Sequence, residues 1–142
     1  MATTVNNTTV NSRITILYDA AGSLNGDGPA KGTGNTESDV YLDSNVYLNI
    51  RSHTEIDANI HALQWDASTN TGTLEYIDNR ENESLSSFPT WATNVVIRCE
   101  AQDVWQTAYD NAMAGDANAQ ASATSTADTA RTNYLSGHGI TY

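Results

Sequence analysis

The 142 residues allow one compact domain with an appendage and leave little room for a second core. Acidic residues outnumber basic ones 17 to 6, and the basic ones (Lys31, Arg13, Arg51, Arg80, Arg98 and Arg131) are scattered singly, giving a formal net charge of −11. No basic patch for phosphates or anionic lipid can be assembled from them, which excludes nucleic acid and membrane surfaces as expected partners. The hydrophobic fraction of 39% lies below the globular average of about 45–50% and predicts a modest core.

Residues 1–12 are polar and without periodicity, and read as an extended or flexible N-terminal arm, with neither the basic nor the apolar segment of a signal peptide. Ile14, Ile16 and Tyr18 alternate in a β-branched run that predicts the first strand. The stretch from Ala20 to Asp39, rich in Gly, Asn, Asp and Thr, is a long loop. Period-two alternation returns from Val40 to Arg51, with Asp43-Ser44-Asn45 able to break it into two strands or a hairpin. Two further strands, Ile60–Trp65 and Thr73–Ile77, flank the turn formers 66–72 and predict an antiparallel hairpin in which His61, Leu63 and Trp65 share a face.

A charged loop spans 78–90. Beyond it Val95-Val96-Ile97 favours a strand by β-branching, yet a helical pattern begins as early as Trp91, and both readings stay open. Ala101, Val104, Trp105, Ala108 and Ala112 recur at helical spacing up to Gly115. Residues 116–135 carry an alanine seam, Ala119, Ala123, Ala127 and Ala130, running to Tyr134 and Leu135; Gly137 and Gly139 end it. Alanine buries too little area for this segment to be helical alone, so it is either a helix held by a neighbour or partner, or a disordered tail. The expected fold is α+β: a mainly antiparallel module of about five strands and a helix in residues 13–115, then an Ala/Thr/Ser-rich tail, 116–142, that is helical or ordered on assembly.

Catalytic chemistry finds no pattern. His53, His61 and His138 form no tight metal pair, and His61 reads as a semi-buried strand histidine. Cys99, the single cysteine, reads as a buried spectator thiol. The one cluster with ligand chemistry is Asn25, Asp27, Glu37, Asp39 and Asp43, hard oxygen donors in and around the glycine-rich loop. They suit Ca²⁺ but lack the EF-hand spacing, against the plainer expectation of an unliganded polar loop and no cofactor. Trp65, Trp91 and Trp105 read as core. Tyr41 and Tyr47 are candidates for exposed interface contacts on the sheet, and Ala119, Ala123, Ala127, Tyr134 and Leu135 for contacts along the tail.

The segments Ile60-His61-Ala62-Leu63-Gln64-Trp65, Gly72-Thr73-Leu74-Glu75-Tyr76-Ile77-Asp78 and Phe88-Pro89-Thr90-Trp91-Ala92 resemble a module of small virion-associated and tail-fibre accessory proteins of tailed phages, notably marine cyanobacterial ones. The resemblance covers roughly residues 56–112 and carries no catalytic residues. It implies a non-enzymatic virion component, made in the host cytoplasm: a tail, fibre-adaptor or head-decoration subunit, homo-oligomeric and in contact with other virion proteins. The acidic, cysteine-poor composition suits such a part, with arm and tail gripping neighbours. A tail-fibre assembly chaperone and a host-surface glycan binder are the alternatives.

Overall fold

The computed structural model describes residues 2–17, 40–47 and 55–140. The architecture is α+β, a mainly antiparallel sheet followed by helices. Strands β1 (Thr3–Val5) and β2 (Thr8–Val10) form a small hairpin of their own. The main sheet is built from β3 (Arg13–Leu17), β4 (Val40–Leu42), β5 (Asn45–Tyr47), β6 (Ile60–Asp66), β7 (Thr71–Tyr76) and β8 (Glu83–Leu85) in the order β5-β4-β3-β6-β7-β8, every pair antiparallel. Helices α1 (Thr90–Met113), α2 (Ala117–Ala121) and α3 (Ala123–Gly137) complete the chain.

The core follows from strand alternation. Leu42, Ile14, Trp65 and Gly72 form one cross-strand row, and Tyr47, Val40, Ile16, Leu63 and Leu74 the next. Apart from Gly72, every residue of these rows is buried, and Ala92, Val95, Val96 and Cys99 of α1 complete the same cluster. The open choice at 91–99 resolves as helix. The run Val95-Val96-Ile97 mimics a strand because α1 is apolar on two sides: Val95 and Val96 join the sheet core, while Ile97 and Ala101 cluster with Leu135 and Ile140 of the C-terminal segment.

Three features depart from expectation. The N-terminal residues form no loose arm: Val5 and Val10 are buried in the main core, joined through a two-residue turn whose Asn6 takes a φ of 52°. Asparagine tolerates that left-handed conformation, as Asp43 does at φ 55° in the β4–β5 turn. The charged loop contains an eighth strand, β8. His61 is exposed, because the β6–β7 register slips between Ile60 and Ala62. That bulge puts Ile60, not His61, on the core side with Leu63 and Trp65.

The C-terminal residues are helical and packed on the chain's own α1. Ala123, Ala127, Arg131 and Leu135, spaced by four, are the buried residues of α3, and α3 packs on α1. Small side chains let the helices approach closely, and the Trp105 Nε1–H donates to Asp128 across the seam (2.7 Å). The helix closes on Gly139 at φ 71°: the amide of Ile140 donates to the Leu135 carbonyl and that of Gly139 to Ser136, with Ile140 and Leu135 in one apolar cluster.

Gly72 is required by packing. A Cβ there would lie 2.6 Å from the Gln64 carbonyl oxygen and 2.7 Å from Trp65 Cε3, on the strand next to the sheet's centre. Neither neighbour can yield without disturbing the ladder. Gly72→Ala is expected to lower stability by about 1–3 kcal/mol, read as a lower urea midpoint at unchanged slope.

Candidate interaction surface

The sheet has two unlike faces. One carries the core and α1; the other presents Val46, Tyr41, Thr15, Gln64, Thr73 and Ser84 as a single row, each residue in register with the next on the neighbouring strand. Leu17, Ala62 and Glu75 make a second row, in which Ala62 is buried, and Arg13, Asp66 and Thr71 a third. Period-two alternation forces this arrangement, since the residues between them point to the core.

The central row is amphipathic. Tyr41, Thr15, Gln64 and Thr73 are half-buried, Val46 and Ser84 are exposed, and the Thr15 hydroxyl donates to Gln64 Oε1 (3.0 Å). Such a surface can offer hydroxyl and amide hydrogen bonds over an apolar floor without the desolvation penalty of charge. A second surface feature is a shallow groove of about 400 Å³ along α1, lined among the described residues by Asp103, Val104, Thr107, Ala108 and Asn111.

The sequence-predicted residues divide between these surfaces and the interior. Tyr41 belongs to the open face. Tyr47, expected as an exposed contact, is buried on the core side, and its hydroxyl donates to Asp103 of α1 (2.7 Å). Burial, then that hydrogen bond, pushes the phenol above its ordinary range, so Tyr47 stays neutral. Ala123, Ala127 and Leu135 are buried within the chain's own helical layer, and Ala119 is half-buried on α2. The half-buried Tyr134 donates its hydroxyl to Glu100 (2.9 Å).

Of the calcium candidates, Asn25, Asp27, Glu37 and Asp39 lie outside the described residues. Asp43 is described, and its carboxylate is occupied by backbone: Oδ2 accepts from Asn11 N, and Oδ1 from Ser12 N and Arg13 N, at 2.8–3.1 Å. Among the described residues no group of three or more His, Cys, Asp or Glu is placed to hold a metal ion. No described helix is long and apolar enough to cross a membrane.

Sequence reasoning missed Glu100, whose carboxylate joins three elements. Its oxygens accept from Asn6 Nδ2, Asn7 N, the Thr8 hydroxyl and the Tyr134 hydroxyl, tying the β1–β2 turn to α1 and α3. No local pattern marks it, because its four donors lie 34 or more residues away. The chain matches no protein-family model, no curated protein and no solved structure.

Proposed function

We propose that this chain is a non-enzymatic structural subunit of a tailed-phage particle, a tail, fibre-adaptor or head-decoration part, that docks on a neighbouring subunit through the open face of its sheet. The observation that carries the reading is the cross-strand row Tyr41, Thr15, Gln64 and Thr73, half-buried on the face opposite α1. The resemblance of residues 60–65, 72–78 and 88–92 to virion-associated modules supports the particle context. The strongly acidic surface suits a partner of opposite charge.

The docking element is the sheet rather than the termini. Both ends of the described chain are packed on its own body, with Val5, Val10, Leu135 and Ile140 buried, whereas Tyr41 and Leu17 stay half-exposed on the sheet.

Mass spectrometry of purified particles together with light scattering of the isolated chain tests this. The chain is expected at fixed stoichiometry in particles, and Gln64→Arg, which places a charge at the centre of the row, is expected to abolish its incorporation while leaving the fold intact. A strictly monomeric chain, absent from purified particles, overturns the proposal.

A further inference from the structure

The open face of the sheet divides into two unlike halves. With the strand order β5-β4-β3-β6-β7-β8, its midline runs between β3 and β6. Val46, Tyr41 and Leu17, the larger apolar side chains, stand on the β3 side, and the same rows on the β6 side hold the smaller Ser84, Thr73 and Ala62. Leu17 is half-buried and Ala62 buried, so the face steps down across the midline. Charge divides in the same way: Arg13 lies on β3, and Asp66 is its direct neighbour on β6. The central row is uncharged, and the three rows together carry only Arg13, Asp66 and Glu75 on a chain of net charge −11.

We propose that the occupant of this face is a second copy of the chain, related to the first by a two-fold axis running along the strands between β3 and β6, which rests on this face being the docking surface of the particle subunit. Such an axis keeps each row over itself. It lays β3 over β6, β4 over β7 and β5 over β8 of the other copy. Arg13 then faces the copy's Asp66, Leu17 its Ala62, Tyr41 its Thr73 and Val46 its Ser84, each contact made twice by symmetry. Thr15 faces Gln64, a hydroxyl opposite an amide. Large side chains meet small ones, and both arginines meet aspartates.

The other two-fold axis in the plane of the face, at right angles to the strands along the central row, lays each strand on itself and exchanges the outer rows. Arg13 then faces Leu17 and Asp66 faces Ala62, which covers both charges with apolar side chains. Charge complementarity therefore selects the axis along the strands. Stacked sheets cross at about 30°, and Arg13 and Asp66 flank the axis, where that angle displaces facing residues least. Strands about 4.8 Å apart and rows about 7 Å apart make a six-stranded face of about 500 Å² per copy, about 1,000 Å² in the pair. That is the low end for a specific interface and fits a dimer of about micromolar or weaker affinity. Repulsion between two acidic bodies weakens it further, and this nearly neutral face is where a like-charged copy can approach.

Sedimentation of the isolated chain from about one to several hundred micromolar, in about 0.15 M salt to screen the net charge, tests the dimer. The wild-type chain is expected to pass from monomer to dimer across that range. Arg13→Asp and Asp66→Arg are each expected to weaken the dimer about tenfold, since each sets two like-charged pairs face to face. An equimolar mixture of the two variants is expected to regain wild-type association, because one carries acid and the other base at both positions. Within each chain the neighbours at 13 and 66 stay alike in charge, so recovery on mixing reads contacts between copies and not stability of the fold. Circular dichroism reports folding. Should Asp66→Arg not fold, its carboxylate being also the acceptor for Ser68, Leu17→Glu takes its place and is expected to leave only monomer. A wild-type chain that stays monomeric throughout overturns the dimer, as does a mixture that associates no better than its components, or a folded Leu17→Glu chain that still pairs. Particle composition separates this from the docking reading. A monomeric chain that enters particles only with Gln64 unaltered overturns the dimer alone, whereas one that is also absent from particles overturns both.

Discussion

Trp65→Ala is expected to remove about 3–5 kcal/mol of stability, the largest loss from any single truncation in this chain. Trp65 is 2% exposed on β6, at the centre of the row Leu42, Ile14, Trp65 and Gly72. Phe88 meets its ring edge-on at 5.2 Å, which brings the residues before α1 onto the sheet. Gly72 leaves the space its ring occupies, and Thr3 accepts from its indole nitrogen. Truncation therefore opens a cavity bounded by backbone that cannot collapse into it, and takes the indole donor away from the buried Thr3 hydroxyl. Thermal unfolding is expected about 10 °C or more below wild type. Trp65→Phe separates the two contributions: it keeps most of the ring contact, loses only the indole hydrogen bond, and is expected to cost about 1 kcal/mol. Equal losses for the two variants would show that packing is not what Trp65 supplies.

The strands that bury one face were legible, since Ile14 to Leu17, Ile60 to Trp65 and Thr73 to Tyr76 carry their own alternation. The break at Asp43-Ser44 was also legible, because an aspartate that tolerates positive φ sits between two short β-branched runs. The N-terminal hairpin was not. Its signal was present in the repeat Thr3-Thr4-Val5 and Thr8-Thr9-Val10 around Asn6-Asn7, but two valines bury too little to stand alone. They matter only because the core from residues 14 to 99 supplies the surface under them. Strand β8 is weaker still, three residues with Leu85 as its one apolar side chain.

The surface was less legible than the fold, for a related reason. Alternation places Tyr41 and Tyr47 on opposite faces once Asp43-Ser44 turns the chain, but it does not say which face meets α1. That choice is made by Val40 and Leu42 pairing with Ile16 and Ile14, which sends Tyr47 inward and leaves Tyr41 outside. One residue of slip at His61 has the same effect on β6. Asp43 drew notice as a possible cation ligand because its charge and loop position are visible locally. Its three amide donors come from a segment 30 to 32 residues earlier, which local pattern does not reveal.

The alanine seam poses a sharper question, whether α3 is ordered by its own chain or only by a neighbour, and Leu135→Ala decides it. Leu135 is 1% exposed and is the one large aliphatic side chain on the stripe Ala123, Ala127, Arg131 and Leu135. Its side chain also clusters with Ile140 beyond the helix stop, so one side chain supports both the α1–α3 contact and the packing of the closure on Gly139. Truncation is expected to cost about 2–5 kcal/mol, more than the two alanines of the stripe can offset. In the wild-type chain the amides of Ala127 and Arg131 are expected to be protected from exchange equally at two protein concentrations differing about a hundredfold, because an intramolecular contact carries no mass-action term. In Leu135→Ala they are expected to lose protection at both concentrations, while Leu63 and Val96 keep theirs. Protection that rises with concentration in the wild type would instead mean that a second chain, rather than α1, holds this helix in place.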